Sequence, residues 1–126
     1  MKHNTMLTVA SLLSLLFLTL HITDDIVRGI SKAESSNTAL LVLAVFLYGT
    51  LVLPERLSGH IIMLLIGLLA AAMPVMHMRG AHYGEIAKSP GGFFFVWILW
   101  ALGGLGGFTV ILSARGLWDL RRRRPK

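Results

Sequence analysis

The sequence predicts an all-α fold, a bundle of four transmembrane helices, and three observations carry that prediction. Of its 126 residues, 55% are hydrophobic and only 14% charged, where an ordinary soluble domain holds about a quarter charged. The apolar residues gather into four runs of near-spanning length, separated by polar connections. No run shows the apolar-polar alternation of a membrane β-strand. Peptide groups that no water can reach must then pair within helices. A single membrane domain over residues 1–126 accounts for the whole length.

A spanning helix needs about 20 mostly apolar residues. The first span is placed at about residues 5–22. His21-Ile22-Thr23-Asp24-Asp25 follows it without a small-x-small cleavage site, so a retained helix is expected rather than a cleaved signal. Its helical pattern can continue through Asp24 and Asp25 to Arg28. The second span, about 37–53, ends at Pro54, which does not readily continue a helix. Its apolar part is short and must recruit polar flank or a thinned bilayer. The third span, about 60–78, is expected to start from Ser58 as N-cap and to kink at Pro74. The fourth, about 93–114, contains no charged residue.

Four spans put both termini on one side. That side carries Lys2, Arg56, Arg115, Arg121, Arg122, Arg123, Arg124 and Lys126 against the acids Glu55 and Asp119. The other side balances Arg28, Lys32, Arg79 and Lys88 against Asp24, Asp25, Glu34 and Glu85. The positive-inside rule therefore places both termini in the cytoplasm. The formal net charge of +6 is explained by this topology and does not point to nucleic acid. Arg121–Arg124 are also the residues that would hold anionic lipid head groups of the bilayer. The chain has no cysteine, which removes disulfides, thiolate nucleophiles, Cys-based zinc sites and CxxC redox chemistry.

Two small-xxx-small pairs, Gly67 with Ala71 and Gly103 with Gly107, let helix backbones approach closely. They can serve internal packing, a homo-oligomer or a membrane protein partner. Phe93–Phe95, Trp97, Trp100 and Trp118 read as aromatic belts at the two interfaces. His60, near the start of the third span, reads as interfacial.

One polar constellation stands out. If the first helix continues, His21, Asp24, Asp25 and Arg28 fall at i, i+3, i+4 and i+7, on one face. On the same side the third helix ends in Met76-His77-Met78-Arg79, followed by His82. Charge at the end of an apolar helix is costly to bury, so this layer of His21, Asp24, Asp25, Arg28, His77, Arg79 and His82 is the candidate functional surface.

Three readings compete for that layer. Foremost, the groups form ion pairs that pin helix ends, in a non-enzymatic accessory or interaction subunit. The alternative is a transition-metal site drawn from His21, Asp24, Asp25, His77 and His82, whose mixed N/O donors suit zinc, iron, manganese or copper(II). Met76 and Met78 would add softer ligands for copper(I). Third is a membrane enzyme acting on a lipid-borne substrate through the paired carboxylates. A proton-coupled exporter fits poorly, because Leu7 to Leu20 offers only Thr8, Ser11, Ser14 and Thr19 as polar groups.

The segments Leu18 to Gly29, Tyr48 to Arg56 and Ile111 to Trp118 resemble uncharacterised small four-helix bacterial integral membrane proteins. The resemblance implies an inner-membrane location and carries over no activity and no functional residue.

Overall fold

The computed structural model describes residues 2–31, 36–80 and 82–123. It is all-α: α1 (His3–Val27), α2 (Ser36–Leu51), α3 (Leu57–Met78), α4 (Tyr83–Lys88) and α5 (Gly92–Arg122). α1, α3 and α5 are long and apolar enough to cross a membrane. α2 is apolar, but its 16 residues are fewer than a standard span needs. At 1.5 Å per residue it reaches about 24 Å, short of a hydrocarbon core of about 30 Å.

Residues 2–5, the turn at 52–56 and residues 116–123 lie together at one end, here the terminal end. Residues 25–31, 79–80 and 82–92 lie at the other, the loop end. α5 is the central helix, packed most extensively on α3 and next on α1, while α2 lies against α3 and α1. α1 and α3 touch each other only sparsely, which matters below because the site joins them.

The burial pattern is that of a bundle made for lipid. Leu40, Leu65, Phe93, Trp97, Trp100 and Ile111 are more than half exposed, whereas Ser11, Ser14, Thr50, Thr109 and Ser113 are fully buried. Soluble monomers rarely expose contiguous apolar patches of this kind. With no hydrophobic force between helices in lipid, small residues and hydroxyls at the contacts hold them together. Ser14 and Thr109 illustrate this, with hydroxyl oxygens 3.3 Å apart between α1 and α5.

The α3–α5 contact uses the small residues selectively. A Cβ on Gly106 would lie 2.6 Å from the Ala71 nitrogen and 2.8 Å from the Gly67 carbonyl oxygen, so only glycine allows this approach. Gly103 meets the Pro74 ring in the same way, whereas a Cβ on Gly107 would meet nothing. Gly67, Ala71 and Gly103 are thus spent on internal packing, with Gly106 rather than Gly107 completing the seam.

Several sequence-derived boundaries shift. α1 runs on to Val27, and α5 continues well beyond residue 114 to Arg122. α3 begins at Leu57 with Arg56 as N-cap, so Ser58 lies inside the first turn and caps nothing. The connection expected at 79–92 contains α4, whose Glu85 and Lys88 lie in its first and last turns, where they complement the helix dipole. Trp97, Trp100 and Trp118 are exposed as an aromatic belt requires, and the Arg122 guanidinium lies 4.8 Å from the Trp118 ring centre. Phe95 departs from the belt and is buried.

Candidate functional site

The site is built where α1 ends. Gly29 adopts φ 72°, the left-handed conformation that favours glycine. Its N–H donates to the Ile26 carbonyl at 3.0 Å, and the Ile30 N–H donates to the Asp25 carbonyl at 2.9 Å. Those two bonds form a Schellman stop, which ends the helix one turn after Asp25. The carboxylate is thereby held on a defined last turn, with His21 one turn before it on the same face.

That face turns into the bundle. His21 is 2% exposed and Asp25 9%, unusual for groups of this polarity. His21 Nε2 lies 3.5 Å from Asp25 Oδ2. From α3, His77 Nε2 lies 3.3 Å from the same oxygen. The two imidazoles meet edge to face, with ring centres 4.6 Å apart. Phe95 of α5 walls the pair, at 6.1 Å from His21 and 6.0 Å from His77.

Hydrogen bonding sets the chemistry of this cluster. His77 Nδ1 lies 3.1 Å from the Met73 carbonyl oxygen, which can only accept. The proton therefore sits on Nδ1, and in the neutral ring Nε2 turns a lone pair toward the Asp25 carboxylate. Two such electron-rich groups do not rest 3.3 Å apart unless a cation joins them, either a proton or a metal ion. Two further atoms remain open: Asp25 Oδ1 and His21 Nδ1 are buried with no hydrogen-bond partner. A buried polar atom left unpaired costs about 1–3 kcal/mol, so the Asp25 carboxylate favours a guest, while His21 Nδ1 points away from that position.

The donor set fits a borderline divalent metal. One ligand atom from each of His21, Asp25 and His77 lies within 4.8 Å of the others. In a tetrahedral site with bonds of about 2.1 Å, donors stand about 3.4 Å apart. The two separations around Asp25 Oδ2, 3.3 and 3.5 Å, bracket that value, and the two imidazole nitrogens lie within 4.8 Å of each other. The Met73 carbonyl behind His77 is the outer-shell partner that orients a metal-bound imidazole.

The remaining predicted residues fall elsewhere. Asp24 does not join the cluster: it accepts a 2.7 Å hydrogen bond from Arg28 Nε. Adjacent helical residues diverge by about 100°, so with Asp25 inward Asp24 must turn aside. Arg28 also donates to Ser89 Oγ at 2.8 Å, and its guanidinium lies 5.7 Å from the Phe95 ring centre. It thus ties the end of α1 to the connection before α5. His82 is exposed beside Glu85, 3.4 Å away, and lies outside the cluster. Arg79 is exposed and forms no ion pair among the described residues. Met76 and Met78 are exposed, which leaves the copper(I) reading without thioether support. Arg121, Arg122 and Arg123 are exposed at the terminal end, while Arg124 lies outside the described residues. His60, read from sequence as interfacial, is in fact 2% exposed.

A cavity of about 770 Å³ opens beside the cluster, lined by Arg28, His77, Tyr83, Glu85, Ser89 and Phe95. Sequence reasoning missed Gly29 and Phe95. The signal for Gly29 was its place just after the last helical residue. That for Phe95 was its spacing with Ile98, Leu99 and Leu102, the i, i+3, i+4, i+7 pattern of a buried face.

The fold and site together define a small helical membrane protein with a buried His-Asp-His cluster at one end. Comparison with protein families, with characterised proteins and with solved structures finds no match to this chain. The functional reading therefore rests on the cluster itself.

Proposed function

We propose that this chain is a metal-binding or metal-handling membrane protein, holding one divalent transition-metal ion between His21, Asp25 and His77. The observation that carries the reading is the convergence of three donors from two sparsely touching helices. Asp25 Oδ1 stays buried and unpaired there. A structural ion pair needs one imidazole on the carboxylate, whereas two converge on Asp25 Oδ2. Two nitrogen donors and one carboxylate instead make a site for zinc, iron(II), manganese or copper(II). Of the small-residue faces that could have met a partner, α3 and α5 use most internally.

In this proposal the chain crosses a bacterial inner membrane four times, α2 spanning where the bilayer thins. Both termini are cytoplasmic, supported by the excess of basic residues at the terminal end. The His-Asp-His cluster then faces the extracytoplasmic side.

Elemental analysis of the detergent-purified protein, reloaded with Zn²⁺ and desalted, tests the reading. The wild type is expected to retain an equivalent of metal that His21→Ala, Asp25→Asn and His77→Ala each lose. Removing a direct ligand should weaken binding by more than the ~10–100-fold typical of outer-shell partners. Metal content that stays the same in all three variants would sink the proposal.

A further inference from the structure

His77 belongs to two places at once. It is a member of the buried cluster, and it also lines the cavity of about 770 Å³ at the loop end. Phe95 is shared in the same way, walling both imidazoles and lining the cavity. Of the three donor side chains His77 is the most open, 20% exposed against 12% for Asp25 and 2% for His21. An ion arriving from solvent therefore meets His77 first.

The size and the wall of the cavity suit a hydrated cation. At about 30 Å³ per water, a shell of six waters takes up about 180 Å³, well within the space available. Arg28 lines the cavity, but Asp24 matches its charge at 2.7 Å. Glu85 adds a carboxylate at the exposed rim. The guanidinium is also held in place. Ser89 Oγ accepts from it at 2.8 Å, and Gly91, at φ 75°, leaves it room, since a Cβ there would stand 3.3 Å from Nη2. The wall is thus fixed with the cavity open.

Other approaches to the cluster are apolar. Toward the bundle centre stand Leu18 and Leu102, both fully buried. A groove of about 470 Å³ between α1, α2 and α3 is lined by Leu18, Ile22, Val42, Leu69 and Met73, with Thr38 as its polar member. It offers a cation no carboxylate and no imidazole, and an unpaired charge among apolar groups is very costly. We infer that the loop-end cavity is the route by which a hydrated divalent ion enters and leaves the cluster, exchanging its first water for imidazole at His77. The inference rests on the metal-binding reading and adds to it the way in. Such a route sets the rate of exchange and not the affinity, because whatever slows entry slows release equally.

The chain has no cysteine, so one introduced thiol can carry a plug with no competing site. Ile86→Cys and Tyr83→Cys each place a thiol in the cavity wall, and Val42→Cys places one in the apolar groove. Each full-length variant in detergent is loaded with Zn²⁺, labelled with a bulky maleimide and mixed with excess chromogenic chelator. Zinc release is then timed beside the unlabelled protein. A label at position 86 or 83 is expected to slow release about tenfold or more with zinc content unchanged. A label at position 42 should leave the rate as it was. Where a label at one cavity position displaces the zinc, the other position decides. Release unaffected by plugs in the cavity overturns the inference while the metal-binding reading stands, and so does release slowed only by the plug in the groove. A wild type that retains no zinc overturns that reading and the inference with it.

Discussion

At the loop end, α1 and α3 present His21 and His77 with Asp25 between them. At the terminal end, the same helices carry His3 and His60, and the His60 ring packs directly on Gly116. The two ends share helices, residue type and the carbonyl-bound Nδ1 on the α3 histidine. They differ in where the third element comes from. At the loop end, the i, i+4 register of α1 places a carboxylate against both imidazoles. At the terminal end, acids are present only in the lining of a wider cleft. Local helical spacing thus makes a closed three-donor set at one end, and tertiary packing fills the space beside the α3 histidine at the other.

The sharpest way to break this comparison is to attack what both ends share. Gly106 sits in the α3–α5 seam, where an added side chain would run into Ala71 and Gly67. Gly106→Val is expected to destabilise the bundle by about 3 kcal/mol and to lower metal retention at the loop end with it. Denaturation in mixed micelles, paired with metal content, would show this. A variant of wild-type stability would mean that the close approach contributes little.

A smaller change should separate the ends. Gly29 holds its left-handed conformation with open space around it, so only backbone strain opposes a side chain there. Gly29→Ala is expected to cost about 1 kcal/mol and to weaken metal binding through Asp25 while leaving the packing of His60 on Gly116 unchanged. Amide exchange at Ile30 and Ser31, whose N–H groups bond the Asp25 carbonyl, should speed up. Metal binding at the wild-type level would show that the Schellman stop does not position the loop-end site.

The smallest effect is expected where sequence and structure part. His82 is 81% exposed and its partner Glu85 83%. His82→Ala should change stability by less than about 0.5 kcal/mol and leave metal content at the wild-type level. Loss of metal in that variant would return His82 to the site and overturn the present choice of ligands.

Much of this architecture was legible before any coordinates. The apolar runs marked the long helices, and the continuation of α1 through Asp25 followed from its pattern. The His21–Asp25 pairing also followed, because helical spacing alone puts i and i+4 together. The choice between Asp24 and Asp25 did not. Those carboxylates point about 100° apart, and which one faces inward depends on how α1 is rotated against α5. The same holds for His77 over His82, since one lies on a packed helix face and the other before the short α4. His60 looked interfacial because chain position reports depth in the bilayer but not whether a neighbour covers the ring. Glycine spacing suggested Gly103 with Gly107, yet contact falls on Gly103 and Gly106, because the seam follows the crossing of two helices rather than a motif.

The sequence by itself determined helix, length and membrane partitioning, since these follow from local hydropathy and from the need to pair every peptide group away from water. Only the tertiary structure decided which polar groups meet, because α1 and α3 hardly touch and are brought to one point by the helix packed between them.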